Sequence, residues 1–203
     1  MLDKICSILI NKMKQEIPEM SREKEEEIRY GLELMIGEIP KVLIMFLIAY
    51  ILGVLELSIL SYIILLPYKF VSGGVHAKTH LACIIGTPTI YCGTVYLSKY
   101  LNIQPFELRL AFIFATWIFG MIMITLYAPA DTENVPILRK KERTQKKILS
   151  YIVLTINLIV AILIKDSVIS NILIYGSLVQ SILISRIAFK IFNNQYGHEV
   201  YEN

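Results

Sequence analysis

The stretch Phe70-Val71-Ser72-Gly73-Gly74-Val75-His76-Ala77-Lys78-Thr79-His80-Leu81-Ala82-Cys83 gathers two of the three histidines and one of the three cysteines into a polar island between apolar runs. Modest changes of environment bring proton exchange at an imidazole or a thiol to neutral pH, so these side chains suit proton transfer and nucleophilic attack. Gly73-Gly74 permits backbone conformations closed to other residues and lets a second chain approach closely, as a peptide-cleaving groove requires. Ionisable side chains at the edge of a membrane segment mark a candidate functional site.

Three kinds of chemistry fit these residues. In a thiol enzyme, Cys83 is the nucleophile and a histidine takes up its proton or pairs with the thiolate. On one straight helix His76 and Cys83 would stand ~10.5 Å apart along the axis, so the chain must bend between them or the pair must form across a dimer. His80, three residues before Cys83, needs no bend. In a metal site, His76, His80 and Cys83 at i, i+4 and i+7 offer three zinc ligands on one helical face. Ala77 stands where the zinc-protease pattern HExxH has its glutamate, which weakens that reading. The plainest alternative has Cys83 packing as a small hydrophobe and the histidines solvated.

Other candidates are weaker on their own. Cys92 falls on the opposite side of a continuing helix from Cys83 and reads as packing, and Cys6 belongs to an oily helix face. His198 lies in a polar tail and reads as solvated, and Glu56 reads as a head-group residue at a hairpin tip. Tyr127-Ala128-Pro129-Ala130-Asp131-Thr132-Glu133-Asn134 is a proline-punctuated loop before a basic run suited to anionic lipid. Asp131 could orient a histidine if that loop folds back.

The elements that must position these residues are helices in a membrane. The 203 residues are 55% hydrophobic and 18% charged, and the mean hydropathy is +0.58. A soluble domain has ~25% charged residues, so the chain reads as an integral membrane protein. A net charge of +3 does not indicate nucleic-acid binding. Three scattered cysteines without a CxxC argue against a disulfide framework or a ribbon-type zinc site. Asp3, Lys12, Lys14 and Glu16 interrupt any signal-peptide core.

Along the chain, Leu2, Ile5, Cys6, Leu9 and Met13 recur at helical steps and predict an amphipathic helix over Leu2–Glu16, closed by Pro18. Ser21 can cap a second helix whose first turns hold Glu23–Glu27 and whose stripe is Ile28, Leu32, Met35, Ile36 and Ile39. Residues 1–40 are therefore expected to form interfacial or cytoplasmic amphipathic helices, and 41–203 a transmembrane catalytic domain. Val42–Leu66 is either one tilted crossing or a hairpin turned at Gly53–Glu56, because one helix of that length would reach ~37 Å against a hydrocarbon core of ~30 Å. Leu81–Leu97, Leu110–Leu126, Ile148–Ile164 and Val168–Phe192 each predict a further crossing. The fold expected is all-α, a polytopic membrane helical bundle of about six transmembrane or re-entrant helices with N-terminal amphipathic helices.

Positive charge orients this bundle. Arg139, Lys140, Lys141, Arg143, Lys146 and Lys147 predict a cytoplasmic loop. Counting back two crossings puts Lys69–Lys78 on the same side, and counting forward puts Lys165 and Asp166 outside and the tail inside. With a hairpin at Val42–Leu66, the N-terminal region and its seven basic residues are cytoplasmic too. A transporter would spread polar residues along one pathway through several helices, whereas here the charges keep to ends and loops.

Gly-Gly-Val-His-Ala-x-Thr-x-x-x-Cys at Gly73 to Cys83, with Tyr-Ala-Pro-Ala-Asp-Thr-Glu at Tyr127 to Glu133 and a basic run after it, resembles the accessory gene regulator B (AgrB) family of bacterial membrane endopeptidases. The likeness extends over nearly the whole chain. It implies a cysteine endopeptidase that cuts the C-terminal part from a small quorum-sensing pro-peptide through an acyl-thioester and supports formation of a cyclic autoinducer. It also implies that His76 and Cys83 are the catalytic pair, His80 standing outside the family pattern, and that no cofactor is needed. Gly73, Gly74, Lys78 and Asp131 are the residues that would bind or orient substrate. The implied setting is a multi-pass protein of the bacterial cell membrane with its catalytic residues on the cytoplasmic side. The implied partners are membrane lipid, an amphipathic AgrD-like pro-peptide and a second copy in a homodimer.

Overall fold

The protein's structure, a computed structural model, describes residues 2–16, 22–77, 80–133, 136–137 and 139–201. Lys78, expected to bind substrate, and the proposed helix cap Ser21 lie outside the described residues. The elements are all helical: α1 (Leu2–Glu16), α2 (Arg22–Ile51), α3 (Leu55–Ser72), α4 (His80–Tyr100), α5 (Phe106–Tyr127), α6 (Lys140–Leu163), α7 (Ser167–Leu183), α8 (Arg186–Ile191) and α9 (Gly197–Tyr201). Among the described residues, α3, α5 and α6 are long and apolar enough to cross a membrane, and α7 is a shorter apolar helix.

The chain divides into two compact units, Met1–Met45 and Phe46–Asn203. In the first, Lys14 Nζ pairs with Glu25 at 2.7 Å and Lys41 with Glu38 at 2.7 Å. Helix α1 forms over the expected residues; among its described side chains Cys6 is buried as expected, but Ile10 is buried and Leu9 exposed, a rotation from the face read in the sequence.

The stretch Val42–Leu66 is not one helix. The chain turns at Leu52–Val54, where Gly53 takes φ +67°, a conformation that glycine adopts without penalty, and Glu56 lies exposed in the first turn of α3. The last apolar run is also broken. It ends as α7 at Leu183, and the Ser185 side chain then accepts the amide of Ala188 at 3.3 Å to start α8, so Val168–Phe192 is not one continuous helix. Asp166 caps the other end of α7, accepting the amides of Val168 and Ile169.

Helix α7 is the hub against which α3, α4, α5 and α6 all pack. Its buried residues mix the apolar Ile172, Leu173 and Ile174 with the small or polar Ser170, Asn171, Ser177, Gln180 and Ser181, while α5 turns Leu108, Phe112, Phe114, Ile118, Ile122 and Leu126 outward. A lipid surround lets apolar side chains face outward without penalty, and small residues and hydrogen bonds then help to hold the helices together. A Cβ on Gly176 would come within 2.4 Å of Leu65, and one on Gly120 within 2.5 Å of Leu154, so α3–α7 and α5–α6 approach where a side chain is missing. Tyr68 Oη and Ser181 Oγ lie 2.9 Å apart, Trp117 Nε1 donates to Thr155 at 3.2 Å, and Asn171 Nδ2 donates to Asn102 at 2.6 Å. Each such bond is worth about 0.6 kcal/mol on average between membrane helices.

Candidate active site

Helix α3 ends at Ser72 because Gly73 adopts φ +72°, ψ −149°, a region open to glycine and hardly to any other residue. Its own amide still closes the helix on Lys69 O at 3.0 Å, and from Gly74 (φ +138°) the chain leaves as an irregular segment that lasts through Ala77. His76 lies before α4 and Cys83 in its first turn, so the two do not share one straight helix. His76, His80 and Cys83 therefore do not present the single helical face on which the zinc reading rested. The structure does not describe the side chain of His80, and among the described residues no cluster of three metal-ligating side chains occurs.

Three elements hold the segment. The loop after α5 lies against it in a parallel bridge, where Ala130 N donates to Ser72 O at 2.8 Å and Gly74 N donates to Ala130 O at 2.9 Å. From α7, Gln180 Nε2 donates to Ser72 Oγ at 2.9 Å and to Gly73 O at 2.7 Å, and Leu183 O accepts from Val75 N at 3.2 Å. From the tail, Asn194 Oδ1 accepts from His76 N at 2.8 Å. The amides of Gly73, Gly74, Val75 and His76 thus all donate within the protein. These four amides hold the segment in place.

Of the three cysteines, all free thiols, Cys6 and Cys92 are buried and Cys83 is partly exposed. Cys92 is a packed side chain, approached by Ser58 Oγ at 3.7 Å. Cys83, Thr87 and Ile90 follow one another at i, i+4 and i+7 on α4, and Thr87 Oγ1 returns to Cys83 O at 3.0 Å. Thr87 and Ile90 help line a narrow cavity of about 40 Å³ whose other walls include Lys69, Gly73, Gly74, Val75 and Gln180. The cavity has room for water but not for a peptide, so a substrate must lie outside it. His76 is exposed.

Asp131 does fold back onto a histidine, but that histidine is His198. Its carboxylate is fully enclosed and accepts from His198 Nδ1 at 2.8 Å, Arg143 Nη1 at 3.0 Å and the amide of Ile137 at 3.0 Å. Burial by itself would raise the Asp131 carboxyl; the Ile137 amide, His198 and Arg143 together outweigh it and hold the group below the ordinary carboxylate range. His198 is thus a paired side chain rather than a solvated one. Lys146 stands over the Phe70 ring at 5.7 Å and Lys147 Nζ donates to Thr125 O at 2.7 Å, so the basic start of α6, the glycine segment and the tail share one end of the bundle. Lys165 and Asp166 are separated from it by the lengths of α6 and α7.

Gln180 and Asn194 had no part in the reading of the sequence, and Arg143 entered it only as one of the basic residues that orient the bundle. A lone glutamine inside the apolar run Val168–Phe192 is the signal that could have marked Gln180.

The architecture is that of a helical membrane protein carrying one reachable thiol beside a tightly held glycine-histidine segment. Residues 6–184 match the family described as Accessory gene regulator B, and the chain belongs to that family. It is 27% identical to a putative AgrB-like protein of Listeria innocua over 98% of this chain and 95% of the relative. It is 26% identical to a putative AgrB-like protein of Clostridium acetobutylicum, covering 96% and 89%. It is also 27% identical to the accessory gene regulator protein B of Staphylococcus aureus strain JH9, covering 80% and 83%. No solved structure matches the chain.

Proposed function

We propose that this protein is a cysteine endopeptidase of the bacterial cell membrane that cleaves a small amphipathic pro-peptide and helps form a cyclic quorum-sensing peptide from it. Family membership supports the role in peptide processing. The observation that carries the chemistry is the exposure of Cys83 in the first turn of α4, while the other two thiols are buried.

The Cys83 thiolate attacks the carbonyl carbon of the scissile peptide bond, a C–S bond forms and the C–N bond breaks. The leaving amine takes its proton from the His76 imidazolium. The N-terminal part of the precursor stays on Cys83 as a thioester, which keeps its acyl group activated. A substrate cysteine thiol that gives its proton to the now neutral His76 attacks the thioester, its new C–S bond forming as the bond to Cys83 breaks; this returns the Cys83 thiolate and closes a thiolactone, and a held substrate lets the step compete with water. With the amides of Gly73 to His76 engaged, the first turn of α4 is the candidate to receive the oxyanion. Gly73 and Gly74 act by fixing the segment, and Asp131 by fixing the loop that braces it. Lys78 is kept as a substrate-binding candidate on its positive charge alone.

The basic start of α6 supports a cytoplasmic position for this end of the bundle. A homodimer completes the proposal. Mass spectrometry of the enzyme quenched with a co-expressed precursor is expected to find the N-terminal fragment on Cys83. Cleavage is expected to vanish in Cys83→Ala and His76→Ala and to persist in His80→Ala. A precursor still cut by Cys83→Ala would falsify the assignment.

A further inference from the structure

We propose that the C-terminal tail is a working part of the site and that Asn194 is a positioning residue for His76. The proposal rests on His76 and Cys83 carrying the reaction. His76 lies in an irregular segment outside α3 and α4, so the groups that accept from the amides of this segment help to set where the imidazole starts from. Gly74 and Val75 are held by Ala130 and Leu183; the acceptor for the amide of His76 itself is the Asn194 carboxamide, at 2.8 Å.

The tail is built to keep that carboxamide in place. Asn193 takes φ +53°, a left-handed conformation that asparagine tolerates better than most residues and that turns the chain out of α8. Asn194 N then closes on Phe189 O at 2.8 Å. Two residues on, Tyr196 is buried, stacks on Phe189 with ring centroids 3.9 Å apart and donates its hydroxyl to Ile184 O at 2.9 Å. Beyond it, Gly197 N donates to Asp131 O at 3.2 Å and His198 meets the Asp131 carboxylate, while Glu133 N donates to Gln195 O at 3.2 Å. The tail therefore reaches the glycine segment twice, directly through Asn194 and indirectly through the loop whose Ala130 braces Gly73 and Gly74. All of these tail residues follow position 184, where the family match ends.

The test is steady-state cleavage of a co-reconstituted precursor by the full chain, with rates expressed per molecule of monodisperse, detergent-extracted protein. Asn194→Ala is expected to lower kcat about tenfold at unchanged KM, the scale on which small misplacements act. Asn194→Asp, which keeps the acceptor oxygen, should restore most of it. Asn194→Gln, with the same amide one methylene too far, should behave like Asn194→Ala, and Val200→Ala, at an exposed position, should match the parent. A kcat within twofold of the parent in Asn194→Ala, or equal impairment in Asn194→Asp, overturns the positioning role. His76→Ala is run alongside. If it still cleaves, the catalytic reading itself fails, whatever the Asn194 variants do.

Discussion

Gly73 and Ala130 meet backbone to backbone: a Cβ placed on Gly73 would stand 2.3 Å from the Ala130 carbonyl oxygen and 2.8 Å from its carbonyl carbon. Backbone cannot swing aside as the tip of a side chain can, and Gly73 also holds φ +72°. Gly73→Ala therefore carries both a collision and a conformational penalty, about 1–3 kcal/mol for the latter alone. The expected outcome is a lower thermal midpoint in detergent together with loss of cleavage. Gly74→Ala, which meets nothing nearer than 3.5 Å but has φ +138°, should be affected through its backbone alone.

The enclosed carboxylate of Asp131 braces the same loop through His198, Arg143 and Ile137. Its carboxyl is held below the ordinary range, so the folded state prefers it ionised. That contribution is complete above the unfolded value of ~3.9 and is lost as pH falls through the lower folded value. Asp131→Asn should lose about 2 kcal/mol at pH 7, the scale of hydrogen bonds to a charged group. Unfolding followed from pH 7 downward should show the gap between the two proteins closing only below about pH 4. A gap that stays constant to the lowest pH would argue against the ionised carboxylate as its source.

What the sequence disclosed and what it hid divide by distance along the chain. Local signals were legible: the special backbone at Gly73-Gly74, the turn near Gly53, the helical step of α1 and the apolar runs of α5 and α6. The end of α3 was not, for the apolar stretch read as stopping at Leu66 continues as helix through Pro67 to Ser72. The break at Ile184-Ser185 was missed because Ile182, Leu183, Ile184, Ile187 and Ala188 continue the apolar pattern through it, and the serine cap is a weak signal inside a membrane run. His198 looked solvated because nothing near it in sequence announces Asp131, 67 residues away. The rotation of α1 has a related cause, since Leu9 and Ile10 are equally apolar and only packing selects between them.

Thiol accessibility gives a direct check on which cysteine can react. Cys6 is 0% and Cys92 4% exposed, whereas Cys83 is partly exposed. Limiting maleimide on the folded protein should add one label, located on Cys83 by peptide mapping, and labels on the other two should follow only denaturation. Labelling of Cys92 as fast as Cys83 would count against the packing around α4.

The approach of α3 to α7 at Gly176 can be tested by enlarging one side and trimming the other. A Cβ at Gly176 would press on Leu65 Cδ1 at 2.4 Å and Cδ2 at 2.5 Å, and Leu65 is 4% exposed, so its side chain has little room to retreat. Gly176→Ala should destabilise by about 1–3 kcal/mol through overpacking, and Leu65→Ala by about 2–5 kcal/mol through the space it leaves. The double variant puts a methyl into that space and should be more stable than the two losses summed. Residues in contact couple by about 0.5–3 kcal/mol, and Gln180 lies one helical turn beyond Gly176 on α7, so the same double variant should also recover cleavage lost in Gly176→Ala. Strict additivity in thermal unfolding would mean that the two helices do not meet at this point.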